Sequence, residues 1–414
     1  MSHAPVPTSL DRRAERAGPD VVMVLENNAY PQDARVRREA ESLVEAGLSV
    51  EVLAPRQPDR PAREVIRGVR VTRFRLIDGR GTLAGTAVEY LAACCAVTAA
   101  VLPRLARGRR GTLHVHNPPD FFFPLLWLAR RRGWSTVFDH HDDAAGMLRA
   151  KLGRPTLVES VLTWTRRQSA RTADLTITTN DTQRELVQPD ARRVEVVRNC
   201  PPVWFADHRS SAPAARSRLM FLGELGEQDR VERAVEILAQ LVRDRGVDAE
   251  LLIVGDGPRH GAVEERAAQL GVADRVTITG WVPYEQVPVL LASAHVGLDT
   301  APATEVNNGS TMVKIREYLV VGLPVVATAL RETLVTGGDA IVAVQEDTVQ
   351  AFVDPLVGLL TSPDAWHVSA DRARARGMEL LWPTQSERLL AAYRELGGGT
   401  ARKLSQGVNV LSGV

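Results

Sequence analysis

The sequence predicts an α/β protein made of two doubly wound parallel sheets in series. Short, continuously apolar segments alternate with amphipathic helical patterns, which is typical of parallel strands joined by crossover helices. The alternation stops in a proline-containing stretch at 201–218 and then starts again. The length of 414 residues also exceeds that of one ordinary domain, roughly 100–200 residues. We therefore expect two Rossmann-like domains, each with its own sheet.

In the first half, the strand predictions depend on short apolar segments and the helix predictions on an apolar repeat of three to four residues. VVMVLE at 21–26 is the first strand, and the next helix runs from Asp33 to Gly47, a residue type common at helix ends. The further strands are predicted at 49–55, 69–76, 113–117, 135–143, 175–180 and 194–199. The further helices are predicted at 86–106 and 120–132.

The second half repeats the alternation and ends with a separate helix. Its strands are predicted at 218–223, 249–257, 275–282, 295–300, 323–328 and 340–344. Its helices are predicted at 229–245, 261–271, 284–293, 311–321 and 384–396. The resulting organisation is a loose tail at 1–18, an N-terminal domain at 19–205, a C-terminal domain at 206–380, and a final helix with a tail at 381–414.

The composition is that of an ordinary globular protein and excludes two classes. It has 44% hydrophobic and 24% charged residues, with 51 basic against 50 acidic side chains. This balance excludes a disordered chain and a generally basic nucleic-acid-binding protein. Three cysteines cannot form a disulfide framework, so we expect a cytoplasmic protein. The chain has three lysines and many arginines, which is typical of a GC-rich, actinobacterial genome.

The most apolar segment, at 90–103, is shorter than a membrane span. It has 14 residues before Arg104, whereas a span needs about 18. We expect a buried helix here. A helix on the membrane surface, ended by Arg104, Arg107, Arg109 and Arg110, is the alternative and would allow peripheral membrane contact. We expect no signal peptide, because no long apolar stretch follows the first basic residues.

The segment NNGSTMVKIREYLVVGLPVVAT, at 307–328, carries the strongest functional signal. Gly309 and Ser310 precede a predicted helix, and the backbone N–H groups of a first helical turn attract anions. Lys314 adds positive charge, and Glu317 lies on nearly the same helical face, where it can accept hydrogen bonds from ribose hydroxyls. A diphosphate beside a ribose indicates a nucleotide. A capped surface helix with a solvated Lys–Glu pair is the alternative.

This segment resembles the donor-binding signature of GT-B glycosyltransferases of family four, in the branch that carries K-x-x-E-Y before a G-x-P-V-V strand. The resemblance continues in order through HVHNPPDFFFPLLWLA, VFDHHDD, VVRNCPP, FLGELGEQDRVERAV and RVTITGWVPYEQVP, and covers residues 20–396. It implies two Rossmann-like domains that face each other across a cleft. The C-terminal domain would hold the sugar nucleotide, the N-terminal domain would present the acceptor, and the final helix would cross back to the first domain.

The resemblance also implies the residues of the donor site. Glu317 would hold the ribose, and Lys314 would lie near the phosphates and assist catalysis. The other contacts would be made by backbone atoms, to the diphosphate at Ser310, Thr311 and Met312 and to the base at Gly255, Gly257 and Val282. No cofactor is implied beyond the nucleoside-diphosphate sugar, which is a substrate.

Three positions depart from the family pattern. Gly309 stands where relatives commonly have a glutamate that contacts the donor sugar. Glu224 and Asp229 stand where relatives commonly have an arginine and a lysine that bind phosphate. We expect Lys314 and Arg230 to supply the missing positive charge, and we expect donor-sugar recognition to differ from that of other members.

The N-terminal domain contributes further candidates at the ends of its strands. His141 and Asp142, in VFDHHDD, match a family pair that faces the donor sugar near the reacting carbon, and His141 is a catalytic candidate. Asn28 follows the first strand, where relatives bring backbone close to the donor phosphate. Nearby Asp33 is a candidate contact of the same kind or a helix N-cap.

A metal site is the competing interpretation of the histidines. His114 and His116 share one face of a predicted strand and could join His140 in binding a metal ion. Ligand spacing alone is weak evidence. We therefore predict no metal site and expect structural histidines.

Together these features predict a retaining, metal-independent glycosyltransferase. It would move a sugar from a UDP or GDP sugar to a small-molecule acceptor, as in antibiotic biosynthesis. A cell-surface polysaccharide or lipid-linked acceptor is an alternative. A catalytically silent sugar-nucleotide-binding protein and a metal-dependent sugar hydrolase are alternatives from other classes. The sequence does not indicate the base, the sugar, the linkage atom or the oligomeric state.

Overall fold

The computed structural model describes residues 18–76, 83–106, 110–212 and 216–411. Parts of the predicted tails, of the predicted linker and of the basic stretch lie outside the described residues, namely 1–17, 213–215, 412–414, Arg107 and Arg109. The chain divides into two compact units. The N-terminal unit contains the residues up to Arg198 and those from Ser386 onward, and the C-terminal unit contains Asn199–Gln385.

Among the described residues, the N-terminal unit contains an eight-stranded sheet that is parallel except at one edge. Its strands are β1 (Val21–Val24), β2 (Val50–Pro55), β3 (Arg63–Ile66), β4 (Val69–Phe74), β5 (Thr112–His116), β6 (Ser135–His140), β7 (Leu175–Thr178) and β8 (Val194–Val196). Their order is β3-β4-β2-β1-β5-β6-β7-β8, with β3 antiparallel to β4. All residues of β1 and β5 are buried, as expected of parallel strands covered on both faces.

Helices cover this sheet, and the first of them illustrates why they form. The helices are α1 (Ala34–Glu45), α2 (Leu83–Ala106), α3 (Phe123–Arg131), α4 (Ala144–Leu152), α5 (Leu157–Thr172) and α6 (Asp181–Val187). Asp33 is the N-cap of α1 and accepts a hydrogen bond from the Val36 N–H at 2.9 Å. Val36, Ala40 and Leu43 recur at helical spacing and are fully buried.

The apolar helix α2 is buried on one face only. Val97, Val101 and Leu105 are buried in the core of the N-terminal unit, whereas Cys95 and Ala99 are exposed. Arg104 near its end pairs with Glu51. No helix among the described residues has both the length and the apolar character needed to cross a bilayer.

The C-terminal unit contains, within the described part of the chain, a fully parallel six-stranded sheet. Its strands are β9 (Ser217–Leu222), β10 (Ala249–Val254), β11 (Val276–Ile278), β12 (Val296–Asp299), β13 (Val325–Thr328) and β14 (Val342–Val344). Their order is β11-β10-β9-β12-β13-β14. Apolar clusters cover both faces, around Phe221 on one and around Met220 on the other.

Eight helices of the described chain lie wholly within the C-terminal unit, and two more follow. The eight are α7 (Glu232–Arg243), α8 (His260–Gln269), α9 (Val287–Ala292), α10 (Glu305–Gly309), α11 (Val313–Val320), α12 (Arg331–Gly337), α13 (Val349–Thr361) and α14 (Pro363–Glu379). The division between the units falls within α15 (Trp382–Glu395), and α16 (Gly398–Leu411) belongs to the N-terminal unit. There, Lys403 Nζ donates a hydrogen bond to Asp20 Oδ2 at 2.8 Å.

The predicted α/β class with two parallel sheets is confirmed, and each predicted strand overlaps a strand of the structure. The sequence did not indicate β3 or the helices α4, α5, α6, α10, α12, α13, α14 and α16. β3 is a half-exposed edge strand, so it lacks the apolar run that marks the buried strands. α4 and α5 have exposed apolar residues such as Leu152 and Leu157, which blur the helical repeat.

Both sheets reverse their strand order beside their first strand. The reversal falls between β1 and β5 in the N-terminal unit and between β9 and β12 in the C-terminal unit. In open parallel sheets, ligands bind outside the carboxyl ends of the strands at such a switch point. We therefore expect the functional residues to lie at the two switch points.

Candidate functional site

At the carboxyl ends of β9 and β10, two turns approach each other through glycines. A Cβ atom on Gly255, which has a φ of +142°, would lie 1.9 Å from the Gly223 carbonyl oxygen. A Cβ atom on Gly257 would lie 2.8 Å from backbone atoms of Leu225. The Leu225 N–H donates a hydrogen bond to the Asp256 carbonyl at 3.0 Å. Glycine is therefore required at 255 and 257, the two positions predicted to line the base, because a side chain there would overlap the backbone of the neighbouring turn.

The segment around Val282 adjoins this glycine turn. Gly280 forms a β-bridge with Gly255. Val282 is half-buried against the apolar cluster of one sheet face, and the neighbouring Trp281 is 70% exposed. The predicted base-contacting positions therefore lie on adjoining stretches of backbone within the C-terminal unit.

Helix α11 begins without a side-chain cap. Met312 occupies its N-cap position, and no side chain there accepts a hydrogen bond from the first turn. The Ser310 hydroxyl donates instead to the Val306 carbonyl at 2.8 Å. Gly309 ends α10, so Thr311 lies in the short connection between the two helices. An N-terminus of this kind is a positive pole to which an anion can bind.

Lys314 lies in a buried charge cluster at the switch point between β9 and β12. Its Nζ donates a hydrogen bond to Asp229 Oδ1 at 2.8 Å and lies 3.7 Å from Asp299 Oδ1. The same atom lies 4.2 Å from the centre of the Phe221 ring. Burial lowers the pKa of Lys314, but Asp299 and Asp229 outweigh burial and raise the pKa above its usual value. Lys314 is therefore charged, and two aspartates share its charge.

Glu317 is buried one turn after Lys314 in the same helix. Its Oε1 accepts a hydrogen bond from the Tyr284 hydroxyl at 2.8 Å. The adjacent Tyr318 hydroxyl accepts a hydrogen bond from the Leu222 N–H at 2.8 Å and fixes α11 to the end of β9. The alternative of a capped surface helix with a solvated Lys–Glu pair is wrong, because the helix has no side-chain cap and both side chains are buried.

The other candidate cation of this site lies outside the buried cluster. Arg230 has a φ of +48°, and its half-exposed guanidinium pairs with Asp347 at 3.0 Å. Arg233 also pairs with Asp347. The contribution of Arg230 to phosphate binding stays a prediction.

In the N-terminal unit, one buried amide holds the loop that carries the catalytic candidate. Asn117 directly follows β5, and its Oδ1 accepts hydrogen bonds from the N–H groups of His141 at 2.7 Å and Asp142 at 3.3 Å. Its Nδ2 donates to the Asp142 carbonyl at 2.7 Å and to Asp120 Oδ1 at 2.9 Å, and lies 2.9 Å from His140 Nδ1. Asn117 therefore fixes the backbone of the loop after β6.

His141 lies next to a buried carboxylate. Its Nδ1 is 3.7 Å from Asp139 Oδ1, and its Nε2 is 3.9 Å from Asp142 Oδ2. Burial lowers the pKa of His141, but the two aspartates outweigh burial and raise it. Asn28 is exposed after β1, and its Nδ2 donates a long, 3.5 Å hydrogen bond to the N-cap Asp33. Asn28, Asn117 and His141 follow β1, β5 and β6, and the carboxyl ends of these parallel strands lie at one edge of the same sheet.

Behind this loop lies a fully buried polar group that the sequence analysis did not assemble. Glu39 from α1, His114 and His116 from β5, and Asp139 from β6 converge, and Arg35 donates to Asp139 through Nε at 2.8 Å and Nη2 at 3.1 Å. Alternation along β5 and β6 places these side chains on one face. Arg35 and Glu39 could have been found from their i, i+4 spacing, which places them as an ion pair on one face of α1.

The metal grouping considered from the sequence is not the one that the structure assembles. His140 points to the opposite face from Asp139, and its Nδ1 lies 2.9 Å from the Asn117 amide. His114 and His116 are stacked with their ring centres 4.2 Å apart. Glu39 and Asp139 therefore take the place beside these histidines that the sequence analysis gave to His140.

Two family models match the chain, one in each half. A "Glycosyl transferase 4-like domain" matches residues 32–200, and "Glycosyl transferases group 1" matches residues 216–362. Together the matches cover well over half of the chain. The chain is therefore a glycosyltransferase with the GT-B fold, and its C-terminal half contains a group 1 domain.

Relatives and solved structures agree with this assignment. Alpha-D-kanosaminyltransferase of Streptomyces kanamyceticus is 24% identical over 71% of this chain and 80% of its own length. 2-Deoxystreptamine N-acetyl-D-glucosaminyltransferase of Streptomyces fradiae is 26% identical over 72% of this chain and 75% of its own length. HepE of Anabaena, solved with UDP and glucose, is 14% identical with a TM-score of 0.66, over 90% of this chain and 99% of its own.

Proposed function

We propose that this glycosyltransferase transfers a sugar from a nucleoside-diphosphate sugar to a small-molecule acceptor, with retention of the anomeric configuration. The single observation that carries the proposal is the start of α11, a helix without a side-chain cap at the switch point of the C-terminal sheet. Lys314 and Glu317 lie within its first two turns. This places an anion-binding pole one turn away from a carboxylate that can accept hydrogen bonds from a ribose.

The donor would bind along the carboxyl edge of the C-terminal sheet. The diphosphate would accept hydrogen bonds from the backbone N–H groups of Ser310, Thr311 and Met312, and Glu317 would bind the ribose. The base would lie against the glycine turn at Gly255 and Gly257, which adjoins the segment around Val282 through the bridge between Gly255 and Gly280. The order of these groups along one edge supports a nucleoside diphosphate. UDP and GDP are both compatible with it.

The reaction would proceed by stabilisation of the leaving group. As the bond between the anomeric carbon and the diphosphate oxygen breaks, negative charge grows on the diphosphate next to the helix N-terminus. Lys314 would add to this stabilisation, although Asp229 and Asp299 share its charge. No metal ion would be required at the diphosphate, so we expect turnover to be unchanged when divalent cations are omitted from the assay.

Retention would follow from reaction on one face of the sugar. The acceptor oxygen or nitrogen would form its bond to the anomeric carbon on the side from which the diphosphate leaves, and the departing phosphate oxygen would take the acceptor proton. His141 and Asp142 would contact the sugar near the reacting carbon. Asn117 would hold both residues in place through their backbone N–H groups.

The named relatives support a natural-product acceptor. Their names describe transfer of aminosugars, in one case to the aminocyclitol 2-deoxystreptamine, and both align with more than two thirds of this chain. We infer an acceptor of this class, a small polar aminocyclitol or aminoglycoside in antibiotic biosynthesis.

A catalytically silent nucleotide-binding protein is the second candidate. It is favoured by the pairing of Lys314 with two aspartates and of Arg230 with Asp347, which lowers the positive charge available to a leaving diphosphate. This candidate predicts nucleotide binding without consumption of the donor.

The test is a transfer assay with a panel of UDP and GDP sugars and 2-deoxystreptamine, in which released nucleoside diphosphate is measured. Proton NMR then gives the anomeric configuration of the product. We expect release with one donor class, an unchanged anomeric configuration, loss of release in Glu317→Ala, and little change in the exposed control Glu285→Ala. Binding of a donor without release under all conditions would favour the silent protein, and an inverted product would overturn the retaining mechanism.

A further inference from the structure

Four side chains with nitrogen or oxygen donors converge in the interior of the N-terminal unit. They are Glu39 of α1, His114 and His116 of β5, and Asp139 of β6, and all four are fully buried. One donor atom from each lies within 4.8 Å of all the others. Such a cluster away from solvent needs a physical explanation, because burial of several ionisable groups is costly without partners.

The spacing of the donor atoms is close to that of a tetrahedral metal site. His116 Nδ1 lies 3.3 Å from Asp139 Oδ2. His114 Nε2 lies 3.9 Å from Asp139 Oδ2 and 3.9 Å from Glu39 Oε2. Four ligands at zinc–ligand distances of about 2.0–2.2 Å are about 3.3–3.6 Å apart. Small shifts of the side chains would therefore bring the four atoms to bonding distance of one ion.

Several of these atoms make no hydrogen bond within the described chain. They are His114 Nε2, both ring nitrogens of His116 and both carboxyl oxygens of Glu39. Buried polar atoms in folded proteins nearly always have a partner. Arg35 Nη2 forms an ion pair with Glu39 Oε1 at 3.1 Å. This ion pair provides no hydrogen-bond partner for the two imidazoles. An ion at the centre of the cluster would bind His114 Nε2, one ring nitrogen of His116 and one carboxyl oxygen of Glu39.

Hydrogen bonds from neighbouring groups orient the candidate metal-ligating side chains, as is typical of bound metal sites. The Tyr393 hydroxyl lies 2.8 Å from His114 Nδ1, which leaves Nε2 directed at the two carboxylates. Arg35 donates two hydrogen bonds to Asp139 and fixes its carboxylate plane. Metal-ligating histidines and carboxylates typically have such partners at their other polar atoms.

We propose that Glu39, His114, His116 and Asp139 bind a zinc ion. Two imidazoles and two carboxylates suit zinc, and four protein ligands leave no position open for a substrate, which indicates a structural ion. The two carboxylates carry two negative charges, which equal the charge of the zinc ion, and Arg35 adds one positive charge to the group. The zinc would join α1 to β5 and β6, the strands whose ends carry Asn117 and His141. The proposal does not depend on the proposed transfer reaction.

The competing explanation is a proton in place of the ion. Glu39 would then be a neutral carboxylic acid beside ionised Asp139, and both imidazoles would be neutral. The two explanations predict different metal contents, because only zinc binding gives one metal ion per chain. They also differ in the response of the Tyr393 contact, because loss of a group that orients a ligand weakens metal binding about 10–100-fold.

The experiment uses the full chain, incubated with zinc chloride, desalted, and analysed for metal by elemental analysis. Metal-stripped protein is then titrated with cobalt(II), whose visible absorption reports four-coordinate geometry. We expect one zinc per chain and strong visible bands that saturate at one equivalent of cobalt. Substoichiometric zinc, below about a tenth of an equivalent, without cobalt bands would overturn the proposal and leave the shared proton.

Variants locate the ion. His116→Gln and Glu39→Gln should abolish the stoichiometric metal, and Tyr393→Phe, which removes no ligand, should weaken zinc at least tenfold in a competition assay. The control His260→Gln removes a half-buried histidine of the C-terminal unit and should bind zinc like the wild type. Full zinc content in both ligand variants would overturn the site. If a ligand variant does not fold, Tyr393→Phe and the wild-type cobalt spectrum still decide.

Discussion

In both units the strand order reverses beside the first strand, between β1 and β5 in one sheet and between β9 and β12 in the other. The residues at the two switch points differ. In the C-terminal unit the turns after β9 and β10 contain Gly223 and Gly255, and a helix without a side-chain cap begins beside the buried ion pair of Lys314 with Asp229. In the N-terminal unit the space is taken by polar side chains that bind one another, around Asn117 and Asp139.

This difference teaches how one topology supports two tasks. A glycine-containing turn and a helix N-terminus present backbone N–H groups, which suits a large anionic ligand that brings its own polar atoms. A strand end filled with interlocked side chains instead holds individual groups such as His141 at a fixed position. The following predictions test whether the two regions divide donor binding and positioning in this way.

The largest expected effect is on the charge of the C-terminal switch point. Lys314→Ala should lower turnover by about 10²–10³, the loss typical of one preorganised donor to a leaving group. Steady-state kinetics with saturating donor measures it. A loss of less than about threefold would show that Lys314 is structural only.

A second variant separates this chemistry from folding. Lys314→Met combined with Asp229→Asn removes both charges of the 2.8 Å ion pair and leaves Asp299 without Lys314, whereas Lys314→Ala leaves both aspartates without it. We expect thermal stability closer to wild type than in Lys314→Ala, with turnover still low. Recovery of turnover in the double variant would assign the Lys314→Ala loss to the unpaired carboxylate of Asp229.

The next effect concerns the glycine turn. Gly255→Ala should destabilise the C-terminal unit by about 2 kcal/mol or more, because its Cβ would overlap the Gly223 carbonyl and its φ is unfavourable. Urea unfolding followed by circular dichroism measures it. The control Gly261→Ala lies in α8 with open space around its Cβ and should be neutral or stabilising. Equal stability of the two variants would contradict the close approach of the turns.

A smaller effect is expected in the N-terminal unit. Asn117→Ala should lower turnover about 10–100-fold, because the His141–Asp142 loop loses its anchor and a displacement of about 1 Å can cost that much. The nucleotide Kd, measured by calorimetry, should not change. Asn117→Asp keeps the acceptor for both N–H groups and should recover part of the turnover. A changed Kd with unchanged turnover would break the division of tasks between the units.

The smallest effect concerns the half-buried His260 beside the glycine turn. A hydrogen bond from His260 Nδ1 to Asp256 Oδ1, 2.8 Å long, raises the pKa of His260. The charged pair therefore adds stability that is present below the ordinary histidine pKa of about 6.5 and is lost as pH rises through the raised value. The Tm difference between wild type and His260→Gln should shrink from pH 6 to pH 9. A difference that grows over this range would contradict the pairing.

The sequence predicted the strands of both sheets except β3, and it predicted the helix α11, where we propose that the donor binds. Apolar strands and the uncapped segment before Val313 are local patterns, so their positions followed from a few neighbouring residues. The pairing of Lys314 with Asp229 could not be predicted, because it joins residues 85 positions apart through the strand order. The same holds for Glu39 with His114, and for Tyr393, which reaches β5 from the last part of the chain.

The chemistry of individual residues was harder to predict than their neighbourhood. Asn117 occurs in the quoted segment HVHNPPD, but its role depends on the loop after β6, which only the parallel pairing of β5 and β6 brings close. The pairing of Arg230 with Asp347 joins distant residues and could not be predicted, and a contact of Arg230 with the phosphates stays a prediction.

The central claim is that the start of α11 binds a nucleoside diphosphate. Calorimetric titration of the wild type and of Glu317→Ala with UDP, GDP, dTDP and ADP tests it most directly. The account predicts micromolar binding of one of these nucleotides, abolished by the substitution and unchanged in the control Glu285→Ala. Absence of binding by all four to the wild-type protein, or equal binding to Glu317→Ala, would contradict it.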